Sequence, residues 1–361
     1  MSAEFLWYLP NFTETGHRGD TASAEDGYGT LDYQVDQAER VEQAGWKGAL
    51  LGTSWGRPDT FTVATALAAR TKTFEPLIAI RPGYWRPANF ASAAATLDNL
   101  SQGRVRVNIV SGQDDLAAYG DVEDSREVRY ARTKEFMRLV RRLWTEEDVT
   151  FAGEHFQVTN STVKQRPYAT PGRPHPRLYF GGASPEAEAV SATEADVQLF
   201  WGEPLAGIEE RITRLRGLEE SLGRDLPPLE FGLRITTLIR DTREEAWRDA
   251  EQRVAEMADR IASGSGGRRG AKAVGQKRLL DLDQRGDVLD TCLYTAPGTV
   301  GGGGAGTTWL VGSADDVASA LQRYADLGVT HFVLSDTPYT TEVKRVGEAL
   351  IPRLSGAVAV A

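Results

Sequence analysis

The feature that most restricts how this chain can fold is a repeat of strand then helix, eight times over. Short apolar runs stand at 4–10 (EFLWYLP), 46–52, 75–81, 104–112, 177–182, 197–202, 230–240 and 331–336. Stretches of helical period lie between them, among them YQVDQAERVEQAG, RYARTKEFMRLVRRLWT and, before the last strand, SADDVASALQRYADLG. Strands that alternate with helices imply parallel βαβ units. Eight such units predict a (β/α)8 TIM barrel in preference to an open doubly wound sheet. Residues 1–361 read as a single barrel domain carrying two insertions. The first, about 145–176, contains FAGEHFQV and a Pro-rich tail and predicts a small hairpin before the fifth strand. The second, about 262–310, contains SGSGGRRGAKAVGQKR and GTVGGGGAGTTWLVG, too rich in glycine to be regular throughout and expected to be a mobile lid or a linker.

Composition narrows the function. Of 361 residues, 41% are hydrophobic and 25% charged, as in an ordinary globular chain. A formal net charge of −10 argues against a nucleic-acid partner, which needs a gathered basic face. The opening MSAEFLWYLPNF carries Glu4 and breaks at Pro10, unlike a signal peptide, and no run approaches a membrane span. Cys292 is the sole cysteine, and His17, His155, His175 and His331 lack metal-ligand spacing, so neither disulfides nor a metal site are expected. The cytoplasm is the simplest compartment.

In a barrel the C-terminal ends of the strands build the active site. Here those ends are rich in aromatics, small polar groups and arginines and poor in paired carboxylates. That lining suits a flat cofactor bearing a phosphate better than acid–base hydrolysis. In YFGGASPEAEAVS, Gly181 and Gly182 let backbone approach an anion, Ser184 offers a hydroxyl, and a helix begins beyond it. The same residues also read as a plain helix cap. GGGGAG formally fits a dinucleotide fingerprint, but it precedes the strand-like TTWLVG instead of opening a helix. In RVRVNIVSG, Asn108 and Ser111 tip an otherwise apolar strand, as cofactor contacts or as satisfied buried polar groups.

Taken together, GRVRVNIVSG, AAATLDNLSQGR, LYFGGAS, FWGEP, GLRITTLIR and FVLSD resemble the bacterial luciferase-like flavin monooxygenases, and most of all the branch that oxidises alkanesulfonates. The resemblance runs from FLWYLP to RVGEALIPRL. It implies a two-component monooxygenase that uses reduced FMN (FMNH2), delivered by a separate NAD(P)H:flavin reductase, and O2 on a small organosulfur or anionic substrate, with C–S cleavage in the sulfonate case. It also implies a homodimer or homotetramer. Carried over by motif, Tyr130, Gly182, Ala183 and Ser184 would hold the flavin phosphate, and Asn108 and Ser111 would meet the ring edge. Arg234 matches an arginine of the sulfonate pocket and would orient the anion or donate a proton late in the reaction. Trp201 would wall the pocket, with a core role as the plainer alternative, and Glu203 has its simplest role in anchoring a loop.

Departures from the family pattern fall at the other catalytic positions. Arg57 stands where the sulfonate enzymes have a cysteine, and Thr236 where they have a histidine. Phe12 and Tyr339 fill further pocket positions occupied there by histidines, and Gly302 replaces a loop arginine. Arg57, Arg81 or Arg86 would then supply charge from new positions. PGYW resembles the dimethylsulfone branch, with Trp85 as a pocket wall. The alternatives are a deazaflavin (F420)-dependent oxidoreductase and a flavin-binding barrel without turnover.

Overall fold

The computed structural model describes residues 3–11, 30–112, 115–122, 125–264 and 273–355. Thirteen strands occur in these: β1 Glu4–Leu9, β2 Gly48–Leu51, β3 Glu75–Ile80, β4 Arg106–Ile109, β5 Val149–Ala152, β6 Gln157–Ser161, β7 Arg177–Phe180, β8 Val197–Trp201, β9 Glu230–Arg240, β10 Val288–Leu289, β11 Leu293–Tyr294, β12 Trp309–Ser313 and β13 Val329–Ser335. In the main sheet the order is β10-β11-β12-β9-β13-β1-β2-β3-β4-β7-β8, and β9 also pairs with β8. The eight strands from β9 round to β8 therefore form a closed barrel, and they are the eight that the sequence pattern predicts. The chain is a (β/α)8 barrel with insertions.

Contacts divide the chain into two compact units. The first comprises Met1–Ala49, Leu199–Arg214 and Glu230–Ala361. Its parallel pairs β1–β13 and β13–β9 stack Phe5 on Phe332 at 5.5 Å, and Phe200 stacks on Phe231 at 5.6 Å. The long β9 is buried along almost its whole length, on both faces, as a run of Phe, Leu and Ile requires. From Thr236, the last residue paired with β13, it continues beside β12, with Thr236 opposite Trp309 and Arg240 opposite Ser313. There Leu238, Trp309, Val311 and Tyr294 pack under Ala246, Ala250 and Met257 of the helix Arg243–Ala262 in a satellite core.

This satellite explains the strands that the barrel pattern leaves out. The second insertion is regular only in part: β10, β11 and β12 pair antiparallel with one another, and β12, which the strand-like TTWLVG supplies, pairs in parallel with β9's outer end.

The second unit comprises Leu50–Gln198 and Leu215–Leu229. Here β3, β4, β7 and β8 pair in parallel, with Asn108 in register with Ala79 and Tyr179. The first insertion contains the antiparallel hairpin β5–β6. Its turn is fixed by Glu135 of the helix Arg126–Thr145, whose carboxylate accepts from the backbone N–H groups of Glu154, His155 and Phe156. Buried Phe90, Phe136 and Trp144 join the helix Pro87–Leu100 to Arg126–Thr145.

Candidate active site

Two groups of side chains stand at C-terminal ends of strands, one in each unit. In the second unit β7 ends at Phe180, and Gly181 to Ser184 lead into the helix Pro185–Glu194. Ser184 is the N-cap: its Oγ accepts from the Ala187 N–H at 3.3 Å, with Pro185 pre-set at the first helical position. Gly182 is required here. Its φ is +152°, and a Cβ on it would fall 2.5 Å from the Ala187 Cβ and 3.7 Å from the Tyr130 hydroxyl.

Tyr130, on the first turns of Arg126–Thr145, bonds Ser184 through its hydroxyl; burial holds its phenol above the usual range, a shift that the Ser184 bond opposes. Two hydroxyls, a side-chain-free backbone and a helix start thus converge. The first turn also carries Glu186 and Glu188, so an anion here would rest on hydroxyls and amides, not on a surplus of positive charge.

Ser111 pairs its hydroxyl with Thr133 at 2.5 Å, and Arg81 donates to the Gly112 carbonyl at 2.6 Å, which ties the turns after β3 and β4 together. Asn108 stays partly accessible within β4. Arg57 ends the turn after β2, its N–H on the Ser54 carbonyl. Trp85 packs against Phe61 and Phe90, with ring centroids 5.5 and 5.9 Å away, and Arg86 is exposed. Phe12 lies outside the described residues.

In the first unit the centre is Arg234. It sits in β9 with its guanidinium 4.3 Å from the Tyr8 ring centroid. Its Nη1 donates to Ser335 Oγ at 2.9 Å and to the Ile235 carbonyl at 3.2 Å. Burial pushes its pKa below the ordinary arginine range. Among the described residues no carboxylate pairs with it. Tyr339 closes edge-on against Tyr8 at 5.8 Å. The β9–β13 register sets Ser335 opposite Thr236, whose hydroxyl lies 3.5 Å from Ser335 Oγ and donates to the Ala305 carbonyl at 3.2 Å. Trp201 ends β8, with Gly304 on its ring: a Cβ added there would lie 3.6 Å from the indole.

The structure therefore gathers Thr236 and Tyr339 near the buried Arg234 cation and adds two residues that the sequence reading missed, Tyr8 and Ser335. Ser335 had a signal, as the polar tip of an apolar strand. Tyr8 had none, since an aromatic residue in a strand reads as core.

A family model described as "Luciferase-like monooxygenase" matches residues 4–331. The chain belongs to that family of flavin-dependent monooxygenases. Its fold is also that of several solved structures. A riboflavin lyase with modified FMN and riboflavin aligns at TM-score 0.75 and 20% identity over 100% of this chain and 93% of that one. An EDTA monooxygenase from Chelativorans sp. BNC1 aligns at 0.76 and 16%, over 99% and 94%. An F420-dependent secondary alcohol dehydrogenase, in complex with an F420-acetone adduct, aligns at 0.68 and 17%, over 98% and 99%. At these identities the luciferase-like barrel is shared and substrates are not transferable. Among the described residues, no helix is long and apolar enough to cross a membrane.

Proposed function

We propose that this luciferase-like enzyme is an FMNH2-dependent, two-component monooxygenase acting on a small anionic substrate, most simply an organosulfur acid of the alkanesulfonate type. The observation that carries the reading is Arg234: a residue 7% exposed whose guanidinium rests on an aromatic ring and a hydroxyl, with no carboxylate partner among the described residues. A buried cation of that kind is costly unless an anion completes it.

The residues present fit FMN. Gly182 keeps bare backbone at the helix start, where a Cβ would strike Ala187, and the Tyr130 and Ser184 hydroxyls would supply donors for a dianionic phosphate. Bound reduced FMN would supply the activation of O2. The chain's own part is to bind and exclude. Tyr130, Gly182 and Ser184 would hold the phosphate, and Asn108 and Ser111 would hold the ring. Arg234 holds the substrate anion in the orientation that Ser335 and Tyr8 impose on its guanidinium, and the indole of Trp201 gives a wall that keeps water away. The resemblance also implies that Arg234 would donate a proton late in the reaction.

Reduced FMN would come from a separate NAD(P)H:flavin reductase, and the resemblance further supports a cytoplasmic homodimer or homotetramer. The test is oxygen consumption with reduced FMN across a panel of alkanesulfonates and sulfones, with sulfite release followed for the sulfonates and sulfinate release for the sulfones, run in parallel with reduced F420. Turnover with FMNH2 on an anionic substrate is expected. Turnover with F420 alone would reassign the cofactor, and flavin binding without oxygen uptake would make this a binding barrel.

A further inference from the structure

Near Trp201 the glycine-rich segment is not a free loop. The Gly304 N–H donates to Gln276 Oε1 at 2.7 Å, and Gln276 Nε2 donates to Thr307 Oγ1 at 3.0 Å. Trp309 Nε1 donates to the Gly306 carbonyl at 3.0 Å. The turn is too tight for a side chain at Gly302, where a Cβ would meet the Pro297 and Gly306 carbonyl oxygens at 2.6 and 2.5 Å. Gln276 belongs to a short helix, Val274–Leu280, and two residues further along it stands Arg278. Arg278 binds the Glu203 carboxylate twice, from Nε at 2.9 Å and from Nη2 at 2.6 Å. Glu203 lies two residues beyond Trp201. It is 4% exposed and is held by Arg211 at 2.9 Å, while its carbonyl accepts from the Tyr324 hydroxyl at 2.8 Å.

One connected path thus runs from Glu203 through Arg278 and its helix to Gln276 and Gly304, which lies on the Trp201 ring. The next residue, Ala305, takes the Thr236 hydroxyl that leads by Ser335 to Arg234. We propose that the Glu203–Arg278 ion pair is a latch: by docking the helix Val274–Leu280 it seats Gly304 and Ala305 over Trp201 and Thr236, so that both residues act as positioning residues for the Arg234 pocket.

Two features favour a latch over a plain structural pair. The anchor half is rigid, since Glu203 keeps Arg211 when Arg278 leaves, so release does not strand a buried charge. The movable half is about a third exposed, so water can replace its bonds at small cost. The helix is also too short to be stable unless docked. That the latch controls substrate access rests on the function proposed above; that it docks the segment does not.

The test is amide hydrogen exchange on the flavin-free full chain, comparing wild type with Arg278→Ala, Arg278→Lys and Gln276→Ala. Arg278→Ala should speed exchange in peptides spanning 301–308 roughly tenfold while β9 peptides stay unchanged, and Arg278→Lys should restore most of the protection. Gln276→Ala, which cuts the links to Gly304 and Thr307 but leaves the Glu203–Arg278 pair intact, should match Arg278→Ala. Exchange within about twofold of wild type in both alanine variants would overturn the latch. If Arg278→Ala loosens β9 as well, Gln276→Ala decides alone. With reduced FMN and a turned-over sulfonate, the same variants should raise KM more than they lower kcat, with reduced-FMN affinity unchanged. If kcat falls and KM holds while exchange rises, the latch does not serve the pocket, whatever the substrate proves to be.

Discussion

At Ser184 an anion would meet neutral groups: two hydroxyls, a bare glycine backbone and a helix start whose first turn already holds two glutamates. At Arg234 it would meet a full charge stripped of water and held by an aromatic face and a serine. The first arrangement is just as buried, with Ser184 3% exposed, but it holds no charge to strip of water and its hydroxyl already bonds the helix start. The second is under electrostatic tension until it is filled. The difference suits their tasks. A cofactor that arrives and leaves reduced needs a reversible grip, whereas a substrate anion that must not drift during oxidation needs a deep one.

The largest effect expected from breaking this contrast is at the cation. Removing one partner of a buried ion pair costs about 3–5 kcal/mol, so Arg234→Ala should lower kcat/KM for the anionic substrate by roughly a hundredfold or more at saturating reduced FMN. A loss below about tenfold would remove Arg234 from the pocket. FMN affinity should not change.

Gly182→Ala should do the reverse. Its methyl would overlap Ala187, at an overpacking cost of about 1–3 kcal/mol, so FMN binding, followed by flavin fluorescence, should weaken roughly tenfold. Tyr130→Phe sharpens the assignment. Loss of one charge-assisted bond, about 1.5 kcal/mol, should weaken FMN about tenfold yet leave riboflavin, which has no phosphate, unaffected. Equal losses for both ligands would place the phosphate elsewhere. The smallest effect belongs to Ser335→Ala. It removes one bond orienting Arg234 and should lower kcat/KM about fivefold, with Ser335→Thr close to wild type.

How much of this was legible in the sequence follows from the range of the signals. The eight barrel strands announce themselves because each is a short apolar run bounded by turns. β10 and β11 have two residues each and carry no periodicity, whereas β12 was legible as the strand-like TTWLVG; that the three join β9 through β12 comes from long-range packing of Tyr294 and Trp309. Arg234 stood out because a charge inside an apolar strand needs a reason. Ser184 and Gly182 stood out by motif. The partners that give these residues their geometry were not legible. Tyr8 and Ser335 reach Arg234 from strands far off in the chain, and Gln276 and Arg278 look like ordinary polar residues of a glycine-rich stretch. Glu203 was legible as an anchor, but what it anchors appears only in three dimensions.

The most direct test of the central claim is a crystal structure of the protein with FMN. The phosphate should lie within hydrogen-bonding distance of Ser184 Oγ and the Tyr130 hydroxyl, with the ring edge at Asn108 and Ser111. A flavin whose phosphate contacts neither hydroxyl, or no bound flavin at saturating FMN, would contradict the account.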